Sequence, residues 1–376
     1  MAGALALFCL FIALAGCAYL AFAVAVTGNF ATDKAAKPAD LPPVTILKPL
    51  KGEEPSLFAN LASFCAQDYC APVQLIFGVP RADDGAIPVV QRLMSTFPRQ
   101  ETELVIDATT IGTNPKISSL NNMMCKARHT VIAFADSDIA VQRDYLLRLV
   151  AALEEGGVGG VTCLYHGVAI GGLWSKLSAL AVDGHFLPNV LVGLRTLLAT
   201  PCFGSTIALR RSDLEAIGGL AAFADCLADD YAIGTALRKR GLKVVIARFL
   251  VAHSCAEVSF AQLWRHELRW ARTIRTLDPT GYAGSFVTHP VAFALLACLF
   301  GAILPGAAVA VFAVFSRIVL LHVVTSRNGL APHPYWLVPV RDLLSFAIFV
   351  WSFLGRDLMW RGCEYRVRAD GTLMPN

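Results

Sequence analysis

The chain begins with an unbroken apolar stretch: from Met1 to Val26 no residue is charged. About 20 consecutive apolar residues suffice to cross a bilayer as a helix, so residues 1–28 are read as a transmembrane helix and 29–41 as a linker. The pattern then changes. Short β-branched or apolar runs at 44–47, 74–79, 103–106, 130–135, 159–164, 204–209 and 243–247 read as strands. Between them, apolar residues recur at helical spacing over 56–65, 87–97, 116–127, 145–153, 211–217 and 228–240. Strands alternating with helices predict an α/β domain with a parallel sheet over 42–280. Residues 174–198 form a long, nearly charge-free segment, expected as a helix resting on the membrane or walling a pocket. Apolar character returns over 285–355, broken by Pro305-Gly306, Arg317 and Arg341-Asp342, and predicts further membrane segments. Two crossings fit best, with a re-entrant or interfacial segment as the alternative. Residues 356–376 form a basic tail.

Composition agrees with this division. The hydrophobic fraction is 56% and the charged fraction 16%, against roughly 45–50% and about 25% in soluble domains. A cleaved signal peptide is the rival for the first segment, but no Lys or Arg precedes Cys17 and the apolar run continues past it. Lys34, Lys37, Lys48 and Lys51 all follow the span, which places the α/β domain in the cytoplasm. A net charge of +4 without a Lys/Arg tract interleaved with aromatics gives no reason to expect nucleic acid. The 11 cysteines contain no CxxC pair and are expected as reduced, packed thiols rather than zinc ligands.

Three acidic clusters follow one another: Asp83-Asp84, Asp136-Ser137-Asp138 and Asp229-Asp230. The middle one caps the apolar strand ending at Ala135, at the sheet edge where α/β proteins bind ligands. Carboxylates one residue apart suit a hard divalent cation, Mg²⁺ or Mn²⁺, that also holds a diphosphate. Asp83 or Asp84 can reach the same edge and accept the imide N–H of a uracil base; a solvated turn is the alternative. One of Asp229 and Asp230 can cap the helix that follows, leaving the other as a general base. Lys116 starts a helix and either adds a cation for a diphosphate or is a surface lysine. In Arg265-His266-Glu267-Leu268-Arg269-Trp270, Trp270 stands where a zinc-protease motif needs its second His. Arg265, Arg269 and Arg272 on one helix instead suit a phosphate, with Trp270 as a pocket wall; a basic membrane-facing helix is the alternative.

Taken together, Leu47-Lys48-Pro49-Leu50-Lys51-Gly52, Asn114-Pro115-Lys116-Ile117, Ala135-Asp136-Ser137, Ala228-Asp229-Asp230-Tyr231 and Arg269-Trp270 resemble the membrane glycosyltransferases related to ceramide glucosyltransferase. These belong to the inverting GT-A superfamily, of the family 2 and family 21 type. The resemblance covers about residues 42–275. It implies a GT-A, Rossmann-like mixed sheet with N- and C-terminal transmembrane helices. It implies that Asp84 (or Asp83), Asp136, Lys116, Arg269 and Trp270 bind the nucleotide sugar, that Asp136 and Asp138 hold the metal, and that Asp230 is the catalytic base. The position usually Gln or Arg in the closing motif is His266 here, a departure. Asp138 restores a DxD pair that animal ceramide enzymes lack.

Within that family, the segment 265–275 looks most like bacterial hopanoid glycosyltransferases. The implied reaction is transfer of N-acetylglucosamine from UDP-N-acetylglucosamine to bacteriohopanetetrol at a bacterial inner membrane. The alternative is a ceramide glucosyltransferase using UDP-glucose. A processive polysaccharide synthase would need more spans for a channel, and an inactive scaffold would have no need of all three acidic clusters. The expected partners are a UDP-sugar donor, a hopanoid or ceramide acceptor and the bilayer; oligomeric state is not legible.

Overall fold

A computed structural model describes residues 1–28, 30 and 41–355, together with the backbone of short strands at 357–360, 363–367 and 373–375. Helix α1 (Ala2–Thr27) precedes the α/β domain. That domain opens with β1 (Val44–Pro49), α2 (Leu57–Cys65), β2 (Val73–Val79), α3 (Ala86–Thr96), β3 (Glu101–Ile106), α4 (Pro115–Met124) and β4 (Val131–Phe134). Every residue of β1 and β4 is buried, so neither shows the alternation of a half-exposed strand, and Thr45 and Lys48 of β1 are buried polar residues. Two buried clusters cover the sheet. Leu61, Phe64 and Tyr145 belong to one, and Ile117, Phe134 and Ile233 to the other. Each such side chain contributes about 1.5–3 kcal/mol by leaving water.

After β4 come β5 (Ile139–Ala140), α5 (Tyr145–Leu153), β6 (Val158–Ala169) and α6 (Leu173–Ala181). A π-helical turn, Val182–Phe186, joins α6 to α7 (Leu187–Arg195). Then follow β7 (Ile207–Arg210), α8 (Arg211–Ala216), α9 (Asp229–Lys239) and β8 (Lys243–Cys255). The strand order is β3-β2-β1-β4-β7-β6-β8-β5. Strands β1 to β4 pair in parallel, but β7 runs antiparallel to both β4 and β6. The sheet is therefore mixed, as the resemblance implied, and not all parallel as alternation alone would have it. Strand β7 is entered from the α6–α7 excursion and not from a crossover helix, so the alternation rule does not reach it.

Two strands run well past their predicted ends. Strands β6 and β8 pair from Val158↔Lys243 to Ala169↔Cys255 through bulges. Their extensions contain His166-Gly167 and His253-Ser254, polar residues that broke the apolar signal. The segment expected as one helix over 174–198 is helical over Leu173–Arg195 with a π turn inside it, and most of it lies inside the fold.

The chain then forms α10 (Phe260–Leu277), α11 (Pro279–Gly284), α12 (Pro290–Leu299), α13 (Ile303–Arg327) and α14 (Val338–Ser352). Among the described residues four helices are long and apolar enough to cross a membrane: Ala2–Thr27, Leu173–Arg195, Ile303–Arg327 and Tyr335–Ser352. The pair Pro279–Thr288 and Pro290–Leu299, bent by 65°, makes a fifth if counted as one span. Helix α1 packs on α12 and α13. Gly16 permits that approach, since a Cβ there would lie 2.6 Å from the carbonyl of Val287.

Candidate active site

The loop after β4 carries Asp136 and Asp138 at the C-terminal edge of the sheet, and its backbone is tied down on every side. Lys48 Nζ donates to the carbonyl of Asp136 at 2.6 Å, and Asn60 Nδ2 to that of Ser137. The amide of Ser254 donates to the carbonyl of Asp138 at 2.9 Å. Lys48 is fully buried at the end of β1, with its ammonium 3.9 Å from the Phe64 ring centroid. Burial pulls its pKa down to about 7, against the opposing pull of Asp136, Asp138 and Glu54.

Asp136 forms an ion pair with Lys116 at 2.6 Å, and Lys116 also lies 3.6 Å from Asp229. Asn114 sets this up. Its Oδ1 caps α4 by accepting from the amides of Lys116 and Ile117, and its Nδ2 donates to Asp229 Oδ1 at 3.1 Å. Asp230, beside Asp229 at the start of α9, accepts from the Gly204 amide at Oδ2 and from the Tyr231 amide at Oδ1, both at 2.8 Å. Gly204 is the hub. A Cβ built on it would lie 2.7 Å from Lys116 Nζ, 3.0 Å from Asp136 Oδ2 and 3.6 Å from Asp230 Oδ2. Carboxylates from distant stretches of the chain thus meet around one lysine.

The electrostatics of this group follow from its burial. Burial and the charge of Asp229 push the Asp230 carboxyl up to about 6, while Lys116 and the two amides pull the other way. Burial also raises Asp136, with Lys116 opposing it. Burial alone would lower the pKa of Lys116, but Asp136, Asp229 and Asp230 outweigh it and hold the ammonium firmly charged. One cation thus serves three acids.

Asp138 faces a different neighbourhood. His253 Nδ1, on the extension of β8, lies 3.5 Å from its Oδ2. His266 Nδ1 lies 2.7 Å from Glu257 Oε1. These residues, with Glu54 and Gln262, line an open cleft of about 260 Å³. Burial would raise the Asp138 carboxyl, yet His253, His266 and Lys48 more than offset it and bring it to about 2. Trp270 packs on His266 with ring centroids 4.2 Å apart. Tyr165, on the extension of β6, stands 5.3 Å from His253. Its phenol is pushed well up by burial and by the charges of Asp230, Asp138 and Asp136.

The structure thus brings Lys116, Asp136 and Asp230 together, with Asp138 on the adjoining cleft and Trp270 packed behind its His266. Arg269 stands on the same helix as Trp270. The first acidic cluster makes local contacts. Asp83 is exposed and paired with Arg81 at 2.7 Å, while Asp84 accepts from the amides of Gly52 and Ala86. Arg265 donates back to the carbonyl of Ala261, and Arg272 to that of Leu354. Lys48, His253, Glu257 and Tyr165 were not singled out from the sequence. A lysine inside an otherwise apolar strand was the one available signal.

The two carboxylates expected to share a metal make different partners here, Lys116 for Asp136 and His253 for Asp138. Among the described residues no three His, Cys, Asp or Glu side chains close around one point. The donors still fit a divalent cation. Asp138 is half-exposed to the cleft and faces His253 Nδ1, while the buried Nε2 on the far side of that ring has no hydrogen-bond partner. The carboxylates are the oxygen donors that suit Mn²⁺ or Mg²⁺; an imidazole suits softer ions.

Comparison with known proteins agrees with this geometry. The family model described as glycosyl transferase family 21 matches residues 8–373. Ceramide glucosyltransferase 1 of Caenorhabditis elegans is 26% identical over 234 residues, covering 62% of this chain and 50% of the relative. The ceramide glucosyltransferase of Gibberella zeae is 29% identical over 159 residues, covering 39% and 30%. The chain spans about half the length of the curated C. elegans relatives it matches. Among solved structures, mannosyltransferase PcManGT from Pyrobaculum calidifontis, in complex with GDP-Man and Mn²⁺, superposes with a TM-score of 0.57 at 20% identity. The match covers 94% of this chain and 99% of that one, and it shows a shared GT-A fold.

Proposed function

The chain belongs to glycosyl transferase family 21, and on that premise we propose that it moves a hexose from a UDP-sugar to a primary hydroxyl of a membrane lipid, inverting the anomeric centre. The observation that carries this reading is the meeting of Asp136 and Asp230 at Gly204 and Lys116. A hexose between the two carboxylates would have its leaving group on one side and its attacking oxygen on the other.

In this mechanism Asp230 takes the acceptor proton as the lipid oxygen forms its bond to the anomeric carbon. The bond from that carbon to the diphosphate breaks, and UDP departs from the opposite face. A pKa of about 6 leaves Asp230 ionised at neutral pH yet basic enough to take the proton. The two amide donors fix its orientation. Lys116 keeps three neighbouring acids from repelling an incoming diphosphate. Asp136 and Asp84 (or Asp83) are assigned to the nucleotide, and Arg269 and Trp270 to the donor side of the cleft. Asp136 and Asp138 would hold the divalent cation, with His253 beside Asp138, and the cation when bound would neutralise charge on the diphosphate.

The relatives named ceramide glucosyltransferase support UDP-glucose as donor and ceramide as acceptor. The hopanoid reading is the second, supported by the resemblance of 265–275. In either case the catalytic domain faces the cytoplasm of its membrane. The test is UDP release from purified protein given each UDP-sugar and each lipid, paired with mass spectrometry of cell lipids with and without the gene. A missing hexosyl ceramide supports the first reading and a missing aminosugar hopanoid the second. No UDP release with any pair would overturn both.

A further inference from the structure

Two charged residues interrupt the apolar helix α14, Arg341 and Asp342, and both are buried. They serve different neighbours. Arg341 grips Glu267 of α10 with both terminal nitrogens, at 2.7 and 2.8 Å. Its other donors reach the carbonyl of Leu177 and the hydroxyl of Ser345. Asp342 instead lies 3.2 Å from Arg317 of α13 and 2.9 Å from His185 in the π turn. Arg317 continues to the carbonyls of Gly184 and Thr288.

Burying an ion pair costs several kcal/mol per ion, recovered only with very good geometry, and apolar residues of the same size hold such helices at least as well. Ionisable residues inside apolar segments therefore point to a task beyond holding the fold together. Here the partner identifies the task. Glu267 sits between His266, which lines the cleft, and the Arg269-Trp270 pair. Neighbouring helical positions are turned by about 100°, so the helix presents Glu267 to α14 while His266 faces Glu257. Arg272 and Arg275 also tie α10 to Leu354 and Gly355, but through exposed bonds at its far end.

We propose that Arg341 is a positioning residue: by clamping Glu267 it fixes the rotation of α10, and so sets His266, Arg269 and Trp270 against the donor cleft. Its kinetic consequence rests on the glycosyltransferase reading above; the clamp itself does not. Side-chain displacements of about 1 Å can cost roughly a hundredfold in rate, so a clamp of this kind has a clear readout.

The test uses the full chain in membranes or detergent. The neutral pair Glu267→Gln/Arg341→Met removes the clamp without leaving a lone buried charge. Arg341→Lys keeps the charge but loses the two-pronged grip, and the swap Glu267→Arg/Arg341→Glu restores the pair in reverse. The expected result is a neutral pair that folds, with faster amide exchange across 260–277, kcat down about 10–100-fold and a raised KM for the UDP-sugar. The swap should recover part of kcat, and Arg341→Lys should lose several-fold at an unchanged melting temperature. Wild-type kcat and KM in the folded neutral pair would overturn the proposal, as would unchanged exchange in α10. If the neutral pair does not fold, Arg341→Lys decides alone, and full activity there overturns it. A wild-type protein that turns over no UDP-sugar would sink the glycosyltransferase reading instead, and the exchange measurement would still judge the clamp.

Discussion

The backbone amide of Gly204 donates to Oδ2 of Asp230 at 2.8 Å, and the missing side chain of that glycine leaves the space in which Lys116 and Asp136 meet. Its backbone does not lie in the left-handed region, so its role is room and not conformational freedom. Gly204→Ala should therefore fold with little loss of stability. Its methyl group would contact Lys116 Nζ at 2.7 Å and Asp136 Oδ2 at 3.0 Å, displacing both. We expect kcat for UDP release to fall about a hundredfold, with a melting temperature near that of the wild type. Full activity would show that the carboxylates need not meet at this point.

Asp230 should set the acid limb of the pH–rate profile. A base must be ionised to accept a proton, so activity should fall as the pH drops through about 6. Burial is the largest cause of that elevated value and Asp229 the next, so Asp229→Asn should move the limb to lower pH without removing it. Asp230→Asn should abolish transfer while UDP binding, followed by calorimetry, persists. Joint loss of binding and turnover would assign Asp230 to the nucleotide.

How much of this was legible in the sequence depended on the range of the interaction. The strand that ends at Ala135 and the helix that starts at Asp229 are local patterns, so the placement of Asp136 and Asp230 at element ends could be read directly. The charges were visible but their pairing was not. Lys116 read as a cation for a diphosphate, whereas the fold pairs it with Asp136 and Asp229. His253 and Tyr165 sit on strand extensions whose polar residues ended the apolar signal, and only pairing between β6 and β8 shows that the strands continue. Arg341 and Asp342 read as flaws in a membrane segment because their partners, Glu267 and Arg317, lie on other helices.

Removing the shared cation should have two separable effects. Lys116→Met leaves Asp136, Asp229 and Asp230 facing one another without a counter-charge. Breaking a fully buried pair costs about 3–5 kcal/mol. The Asp136 side chain is 36% exposed, so solvent screening should reduce the loss to about 1–3 kcal/mol, readable in chemical denaturation. Because Lys116 lowers the pKa of Asp230, its loss should also shift the acid limb of any residual activity upward. A limb that stays in place would mean that Lys116 and Asp230 do not share a field.

The cation assignment makes the last prediction. Asp138 is held near pKa 2, so it is a carboxylate at neutral pH and can hold Mn²⁺ or Mg²⁺ without first losing a proton. Burial would lower the pKa of its neighbour His253, but Asp138 and Glu257 outweigh burial and raise it. A cation placed beside both would oppose protonation of the imidazole, so metal affinity should weaken as the pH falls and His253 takes up its proton. Asp138→Ala should raise the Mn²⁺ concentration for half-maximal UDP release at least about tenfold, and His253→Ala should raise it and flatten its dependence on pH. Asp84→Ala, which removes the acceptor of the Ala86 amide at the start of α3, should leave the metal titration curve in place. If Asp138→Ala titrates like the wild type, the divalent cation is held elsewhere or is not used.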